Sequence, residues 1–347
     1  MTEGAETNPA MPSRRRIVGR IVMVALFGIS LYLVAPGLLA AFGSLPRLRD
    51  VFPVWFIAVA LLQVLAFVSI WELTRVALKA EEWFDVACSQ LAGNALSRAL
   101  PGGVATGAAL QINMLVRAGF SATRATTGLT AVGLLSTTTL LVLPVVALVP
   151  MLFGLAVDSA LMEGAILAGV LSVFFIAGGF ALLTSDRVVR LFGQGIDLVV
   201  TLVRRGRGLD PPMAGRVVEA RDFVRSQLSE SWRRAVPAAF GNQLFDFLSL
   251  FACLLAVGSI VDPALVLLAY VAASVLAMIP FTPGGLGFVE AGLTGVLTLA
   301  GVQPDHAVLA TLLYRLFSYW LPLPAGLIAS LAFSHRHGRR RLATDTP

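Results

Sequence analysis

Residues 100–125 read LPGGVATGAALQINMLVRAGFSATRA, and residues 282–307 read TPGGLGFVEAGLTGVLTLAGVQPDHA. The two stretches align without a gap at an offset of 182 positions, and this places one Pro-Gly-Gly on the other. Of the 50 positions in residues 101–150, 12 carry the same residue 182 positions later, where composition alone would give about four or five. The sequence therefore predicts a duplicated unit, each copy with a hydrophobic stretch broken by Pro-Gly-Gly. Such paired interruptions are typical of binding sites in transporters.

The composition places the chain among membrane proteins. Hydrophobic residues make up 57% of its 347 residues and charged residues only 13%. A soluble domain could not bury so much apolar surface, so we predict a polytopic membrane protein. The net charge of +6 does not indicate nucleic-acid binding, because the arginines cluster near the two ends and in one central segment, where they set membrane topology.

Hydrophobic length predicts which segments cross the bilayer. Six stretches are long enough to span about 30 Å of hydrocarbon, and we interpret the first as a retained span because it is too long for a cleaved signal peptide. Two further stretches, residues 86–115 and 263–300, are divided by Pro-Gly-Gly into halves too short to cross, which predicts hairpins that enter and leave on one side. The six predicted spans are residues 17–42, 51–78, 122–153, 161–184, 235–260 and 307–333.

Arginine-rich segments orient the predicted spans. Residues 1–16, 185–234 and 336–347 are basic, and the positive-inside rule places all three on the cytoplasmic side of the plasma membrane. The central segment holds ten arginines and six acidic residues. It is either a pair of amphipathic helices on the membrane surface, broken at residues 206–212, or a solvated linker. A single membrane domain, residues 17–335, lies between the two basic ends.

This orientation gives the two copies opposite directions. Units of span, hairpin and span occupy residues 51–150 and 233–332, and the first begins outside while the second begins inside. The predicted fold class is therefore an all-α polytopic membrane protein. It has about six full transmembrane helices and two re-entrant hairpins in an inverted-topology repeat.

Residues 279–291, IPFTPGGLGFVEA, resemble the hallmark of the lysylphosphatidylglycerol synthase transmembrane region, a flippase-like membrane protein family. Residues 301–302 (GV), 313–316 (LYRL) with 319–320 (YW), and the first copy at 94–119 resemble it as well, so the resemblance covers nearly the whole chain. In bifunctional members this region translocates aminoacylated phospholipid and precedes an aminoacyl-transferase domain. Only fourteen residues follow residue 333 in this chain, so we expect a standalone member without aminoacylation activity.

The resemblance implies transport of a lipid or a lipid-linked sugar. The expected partner is an anionic phospholipid or a polyprenyl-linked glycolipid, and homo-oligomerisation stays open. We expect no enzymatic activity, cofactor or metal site. His306, His335 and His337 have no metal-ligand partners at useful spacing, and the sequence contains no P-loop or GxSxG motif.

Ionisable residues at membrane depth cost about 2.5–3.5 kcal/mol each and point to function. Glu290 lies five positions after Gly285, at the start of the second half-helix, and Arg315 lies in the last span. We predict that they pair or jointly bind a lipid headgroup. The alternative is a buried ion pair that only fixes the packing of the hairpin.

Two further polar groups could line the same cavity. Asn242 and Asp246 share one helical face because they are four positions apart, and they either line a headgroup cavity or form interhelical hydrogen bonds. Arg98, with Asn94 one turn earlier, suits phosphate through its planar guanidinium, unless it reaches the interface instead. Gln111 follows on the returning half-helix.

The glycine pairs free backbone amides at the start of each returning half-helix, where the helix dipole favours an anion. Alternatively, the glycines only permit a tight turn and close packing. The predicted substrate-binding residues are Asn94, Arg98, Pro101, Gly102, Gly103, Gln111, Asn242, Asp246, Pro283, Gly284, Gly285, Glu290, Tyr314 and Arg315.

Two rival functions belong to other classes. A membrane-embedded enzyme acting on a lipid-linked substrate would bring Asp246 within hydrogen-bond reach of Glu290. A non-transporting accessory subunit of envelope-lipid synthesis would have a cavity closed by apolar side chains. Because function is a property of sites rather than folds, the geometry of these residues distinguishes the three.

Overall fold

The computed structural model describes residues 53–100, 103–152, 159–203, 213–278 and 283–344. Within these residues the chain is helical and contains no strands. The first predicted span, residues 17–42, lies outside the described residues. The first half contains α1 (Pro53–Ala77), α2 (Trp83–Ala99), α3 (Gly103–Arg117), α4 (Ala122–Leu152), α5 (Ser159–Thr184) and α6 (Asp186–Val203).

The second half repeats a long helix, two short helices and a further long helical segment. A 3₁₀ turn, Pro283–Gly285, lies between the two short helices, and a π-helical turn, Leu316–Trp320, interrupts the last segment. The helices are α7 (Met213–Ala256), α8 (Pro263–Met278), α9 (Phe288–Leu299), α10 (Pro304–Arg315) and α11 (Pro322–Thr344).

Five helical segments of the described residues are long and apolar enough to cross a membrane. They coincide with five of the six predicted spans, so the chain is a multi-pass integral membrane protein. The surface agrees, because large apolar side chains such as Phe174 and Ile328 are 69% and 66% exposed, as lipid-facing residues are. The segments are Val54–Ala77, Ala122–Pro150, Met162–Gly179, Ser231–Ala256 and Pro304–His337.

The helices that flank the Pro-Gly-Gly elements are short. α2, α3, α8 and α9 have 17, 15, 16 and 12 residues, or about 18–26 Å at 1.5 Å per residue. Each is shorter than about 30 Å of hydrocarbon. α2 packs on α3 and α8 packs on α9, so the two short helices on either side of each Pro-Gly-Gly lie against each other.

The second short helix of each pair also ends in the same way. Gly119 after α3 and Gly301 after α9 are 182 positions apart and have φ angles of 104° and 92°. The amide of the next residue, Phe120 or Val302, donates to the carbonyl five positions back at 3.1 and 3.0 Å. Glycine adopts this left-handed conformation without a Cβ penalty and caps the preceding helix.

The largest apolar cluster joins α7, α8, α9 and α10. Its fully buried members include Leu250, Leu254, Leu293 and Leu313. α1 packs along α7 and α2 packs along α11, so helices from both halves of the sequence alternate in space. Residues of distant segments therefore meet near the centre of the molecule.

The predicted central segment contains two helices of different kinds. α6 ends at Val203, and residues 204–212 lie outside the described residues. α7 runs for 44 residues from Met213, and the apolar stretch Ser231–Ala256 belongs to the same helix. The basic second part of the predicted segment thus continues without a break into a membrane span.

Candidate functional site

A cavity of about 330 Å³ lies where α1, α2, α7, α8 and α10 meet. Both halves of the sequence contribute to its lining, and the lining side chains are largely polar in a protein that is otherwise apolar. The polar lining residues are Gln63, Gln90, Asn94, Arg98, Asn242, Gln243, Asp246, Tyr270, Ser274, Tyr314, Arg315 and Ser318.

The carboxylate of Asp246 accepts hydrogen bonds from three other helices. Gln63 on α1 donates to Oδ1 at 2.6 Å, while Tyr270 on α8 and Tyr314 on α10 both donate to Oδ2 at 3.0 Å. The Tyr270 hydroxyl also lies 2.8 Å from Gln243 Oε1, and its single proton can go to only one of these acceptors at a time. Asp246 thus both lines the cavity and accepts hydrogen bonds from three other helices.

Arg98 forms no ion pair with a carboxylate within the described part of the chain. Its guanidinium donates to the carbonyl of Ser318 and lies 5.5 Å from the ring centroid of Tyr319, but none of the ion pairs there includes it. A guanidinium has five donors in a planar fork, and one carbonyl uses only part of them. The remaining donors suit an anion in the cavity.

Arg315 is a buried residue with a fixed partner. Its Nε donates to Glu290 Oε1 at 2.7 Å and its Nη2 donates to the carbonyl of Gly284 at 3.2 Å. Glu290 in turn accepts from the amide of Gly287 at 2.7 Å through its second oxygen. The predicted pairing of Glu290 and Arg315 is present, and it also closes the N-terminus of α9 in the manner of a capping box.

Tyr319 joins the ends of the two short-helix pairs. Its hydroxyl donates to the carbonyl of Arg98 at 3.0 Å, and the guanidinium of Arg315 lies 4.3 Å from its ring centroid. Gly284, at φ 59°, lies against the same ring, and a Cβ there would be 2.2 Å from Tyr319 Cε2. The aromatic face attracts both guanidinium groups, so this residue holds the two arginines at one place.

Of the predicted residues, six line the cavity: Asn94, Arg98, Asn242, Asp246, Tyr314 and Arg315. Gly284 and Glu290 lie directly behind the lining through their contacts with Arg315. The Asn242 amide donates to the carbonyl of Ala66 at 2.9 Å, so it also ties α7 to α1.

The other predicted residues lie elsewhere. Gln111 is buried on α3 and donates to Gln90 Oε1 at 2.6 Å, so it supports a lining residue without lining the cavity itself. Gly103 packs against α2, where a Cβ would be 2.0 Å from the Ser97 carbonyl oxygen. Close packing is therefore the role that the contacts of Gly103 indicate. Pro283 and Gly285 form the 3₁₀ turn with Gly284 outside the lining. Pro101 and Gly102 lie outside the described residues.

Six polar lining residues are not among the predicted binding residues: Gln63, Gln90, Gln243, Tyr270, Ser274 and Ser318. A usable signal existed for two of them. Gln63 interrupts an apolar run in α1, and Tyr270 does the same in α8. An isolated polar side chain in an apolar span faces either another helix or a cavity.

Charged groups away from the cavity form separate contacts. Glu72 and Arg75 pair at 2.7 Å on α1, as their spacing predicts, and Arg336 pairs with Glu82 at 2.6 Å. Among the described residues, no three His, Cys, Asp or Glu side chains are placed to hold a metal ion.

Comparison with known proteins agrees with this architecture. The chain is 30% identical over 95 residues to a UPF0104 membrane protein of Methanothermobacter thermautotrophicus, and this stretch covers 27% of each protein. A UPF0104 membrane protein of Pyrococcus horikoshii is 35% identical over 86 residues, which cover 25% of this chain and 26% of that protein. The chain thus aligns with only about a quarter of the length of these relatives.

The profile of the lysylphosphatidylglycerol synthase TM region matches residues 16–326, which include both Pro-Gly-Gly elements and every cavity-lining residue. Since this match extends over nearly the whole chain, the protein belongs to the family of the lysylphosphatidylglycerol synthase transmembrane region.

Proposed function

We propose that this protein moves an anionic phospholipid or a lipid-linked sugar between the two leaflets of the plasma membrane. The headgroup passes through the polar cavity while the acyl or prenyl tails stay in the bilayer. The observation that carries this proposal is Arg98, a guanidinium without a carboxylate partner among the described residues, on the wall of a polar cavity in a membrane protein. An ionisable group at such a depth is expensive unless it has a function.

The shared chemistry of both substrate classes is a phosphodiester. Phosphate matches the fork of guanidinium donors on Arg98, and the amides of Asn94 and Gln90 beside it can bind hydroxyl groups of glycerol or sugar. A volume of about 330 Å³ is at the lower end of the range of small-molecule sites, about 300–1,000 Å³. It accommodates a headgroup and not a whole lipid.

We further propose that the two short-helix pairs are re-entrant hairpins in an inverted-topology repeat. Support comes from their lengths, from the offset of 182 positions shared by their sequences and glycine caps, and from the basic segments that orient the spans with both termini cytoplasmic. Rocking one repeat against the other then exposes the cavity to each leaflet in turn.

The contacts of the carboxylates favour transport over membrane-embedded catalysis. Asp246 bonds to Gln63, Tyr270 and Tyr314, whereas Glu290 bonds to Arg315 and Gly287. The two acids form no hydrogen bond with each other in the described residues, so these contacts give no support to the Asp246–Glu290 pair of the enzyme hypothesis. The polar lining likewise disfavours a closed accessory subunit.

The test is translocation in liposomes. Purified protein is reconstituted with phosphatidylglycerol labelled on one acyl tail or, in a second arm, with a tail-labelled polyprenyl diphosphate sugar. A membrane-impermeant reductant then quenches label in the outer leaflet only. Transport predicts loss of nearly all label in wild type and about half in empty liposomes, and the arm that responds identifies the substrate.

Arg98→Ala tests the site and Arg117→Ala is its matched control, because Arg117 is exposed on α3 outside the cavity. We expect Arg98→Ala to stop translocation and Arg117→Ala to retain it. Failure of the wild-type protein in both arms, with correct folding shown by its thermal transition, would exclude transport of these lipids.

A further inference from the structure

We propose that the headgroup is an uncharged sugar joined to a phosphate, and that Asn94 and Gln90 select this headgroup over glycerol and over an amine. This inference rests on the proposed function, because it takes the anion at Arg98 to be the phosphate of a lipid. It adds the chemical class of the headgroup, which neither the family match nor the relatives specify.

Three lining side chains of α2 form one row along the helix. Gln90, Asn94 and Arg98 follow each other at intervals of four residues, and all three line the cavity. Residues at this spacing share one face of an α-helix, and each step advances about 6 Å. The row therefore extends about 12 Å, from a guanidinium past two amides. With the phosphate at Arg98, the short carbon chain of glycerol reaches the first amide, whereas a sugar ring reaches both.

The hydrogen-bonding groups left open along the row suit hydroxyls. The side chain of Asn94 has no hydrogen-bond partner among the described residues. Gln90 accepts from Gln111 at 2.6 Å through Oε1, which leaves its amide N–H groups as donors. On α7, Asn242 uses its amide nitrogen on the carbonyl of Ala66 at 2.9 Å, which leaves its Oδ1 as an acceptor. A hydroxyl both donates and accepts, so a group with several hydroxyls matches this mixture of donors and acceptors.

An amine-bearing headgroup matches the same cavity poorly. An ammonium group only donates hydrogen bonds, so it needs acceptors. Asp246 is the one carboxylate among the described lining residues, and it already accepts from Gln63, Tyr270 and Tyr314. The guanidinium of Arg98 on the cavity wall also repels a second cation. The lining therefore favours a neutral sugar over the aminoacylated phospholipid that the bifunctional members of the family translocate.

The wall that α1 contributes is apolar. Ala66 and Phe67 lie four and three positions before Ile70, so the three side chains share one helical face, and all three line the cavity. A sugar ring has C–H groups on its faces and hydroxyls around its edge. It can therefore pack against this apolar wall while its edge bonds to the amides, in the way that small-molecule sites combine apolar surface with a few placed polar groups.

Binding of short-chain probes to the detergent-purified full chain tests the headgroup class. Isothermal titration compares glucose joined through one phosphate to a short citronellyl tail with dihexanoyl phosphatidylglycerol and dihexanoyl phosphatidylethanolamine. We expect the glucose probe to bind about 10-fold tighter than either phospholipid, because it makes additional hydrogen bonds. Glucose 1-phosphate, which has the same headgroup and no tail, should bind more weakly than the glucose probe. Equal or tighter binding of glucose 1-phosphate would show that the ligand is a soluble sugar phosphate and not a lipid.

Two variants test the two amides. Asn94→Ala removes a side chain without a fixed partner, and it should weaken the glucose probe about 2- to 13-fold, as loss of one hydrogen bond does. Gln90→Leu combined with Gln111→Leu removes the second amide and leaves neither glutamine unpaired. It should weaken the glucose probe by a similar factor and leave phosphatidylglycerol unchanged. The matched control is Asn113→Ala, because this amide is exposed on α3 outside the cavity, and it should change neither affinity.

The outcomes separate this inference from the proposed function. Equal affinities for the glucose and glycerol probes, or an unchanged affinity for glucose in Asn94→Ala, would overturn the selection of a sugar and leave transport of an anionic phospholipid standing. Tightest binding of phosphatidylethanolamine would refute a neutral headgroup. If wild type with a normal thermal transition bound none of the probes, the headgroup site itself would be wrong. Asn94→Ala decides the role of the row alone if the double variant does not fold.

Discussion

The two Pro-Gly-Gly elements share a backbone and differ in chemistry. Both separate two short helices, and the second of these helices is followed in both cases by a glycine with positive φ, Gly119 or Gly301. Around the second element the charges are internally satisfied, because Glu290 binds Arg315 at 2.7 Å and the amide of Gly287 at 2.7 Å. Around the first, Arg98 faces the cavity without an ion pair in the described residues. The charges at the second element are therefore paired with each other, whereas the arginine beside the first element lines the cavity without an ion pair among the described residues.

The aligned positions show where the difference arose. At the offset of 182, Arg98 corresponds to Pro280, Glu290 to Ala108, Arg315 to Gly133 and Asp246 to Val64. Each ionisable residue of the site has an uncharged counterpart in the other copy. The short helices and their glycine caps thus recur at the offset of 182, whereas the ionisable residues at the cavity do not.

We expect the largest effect on stability at the second Pro-Gly-Gly element, where Glu290 and Arg315 form an ion pair. Arg315→Ala leaves Glu290 without its partner, and removing one member of a buried ion pair costs about 3–5 kcal/mol. We expect a large drop in the thermal transition in detergent, followed by intrinsic tryptophan fluorescence. Glu290→Gln combined with Arg315→Gln should restore part of the loss, since no charge is then left alone. A change as small as that of exposed Arg117→Ala would show that the pair is not structural.

Arg98→Ala should give the opposite profile, with stability largely retained and headgroup binding lost. A charge-assisted hydrogen bond contributes about 1.5–3 kcal/mol, or about a 10- to 150-fold loss of affinity. Native mass spectrometry of the purified variant should show depletion of co-purifying anionic lipid relative to wild type. If Arg98→Ala retained the lipid and only Arg315→Ala lost it, Arg315 rather than Arg98 would be the residue that binds the headgroup.

Gly284 and Gly287 test whether close approach or backbone conformation matters more at the second element. Both have positive φ, at 59° and 85°, but only Gly284 lies against Tyr319, whereas no atom lies within 4 Å of a Cβ at Gly287. Gly287→Ala should cost about 1 kcal/mol of unfolding free energy, and Gly284→Ala about 2 kcal/mol or more because the ring must also move. Equal losses of unfolding free energy in a denaturation assay would show that the contact with Tyr319 adds nothing to the cost at Gly284.

The smallest expected effects come from a comparison of the two glycine caps with each other. Gly119→Ala and Gly301→Ala each force alanine into a left-handed conformation, with open space around the new Cβ at both positions. Each should cost about 1 kcal/mol, so the two thermal transitions should fall by similar amounts. A much larger loss at one position would mean that the two caps contribute differently to stability although their geometry is similar.

Much of the fold followed from the sequence. Apolar length predicted the five membrane-spanning segments that the structure describes, and Pro-Gly-Gly predicted where the short helices break. Glu290 and Arg315 were predicted to pair or jointly bind a headgroup, because an ionisable residue at membrane depth is costly, and their ion pair is present. Gln63 and Tyr270 were missed, since a single neutral polar residue in an apolar helix carries no sign of its partner.

The sequence by itself determined the membrane class, the duplicated pattern and the positions of the helix breaks. These are local properties of hydrophobic length and backbone conformation, and they need no information from distant residues. Only the tertiary structure decided that Asp246 is held by α1, α8 and α10, that Tyr319 lies beside both arginines, and that Arg98 is left without an ion pair among the described residues. The reason is physical: a hydrogen bond or an ion pair depends on distances of about 3 Å between groups far apart in the chain, and helix packing alone sets those distances.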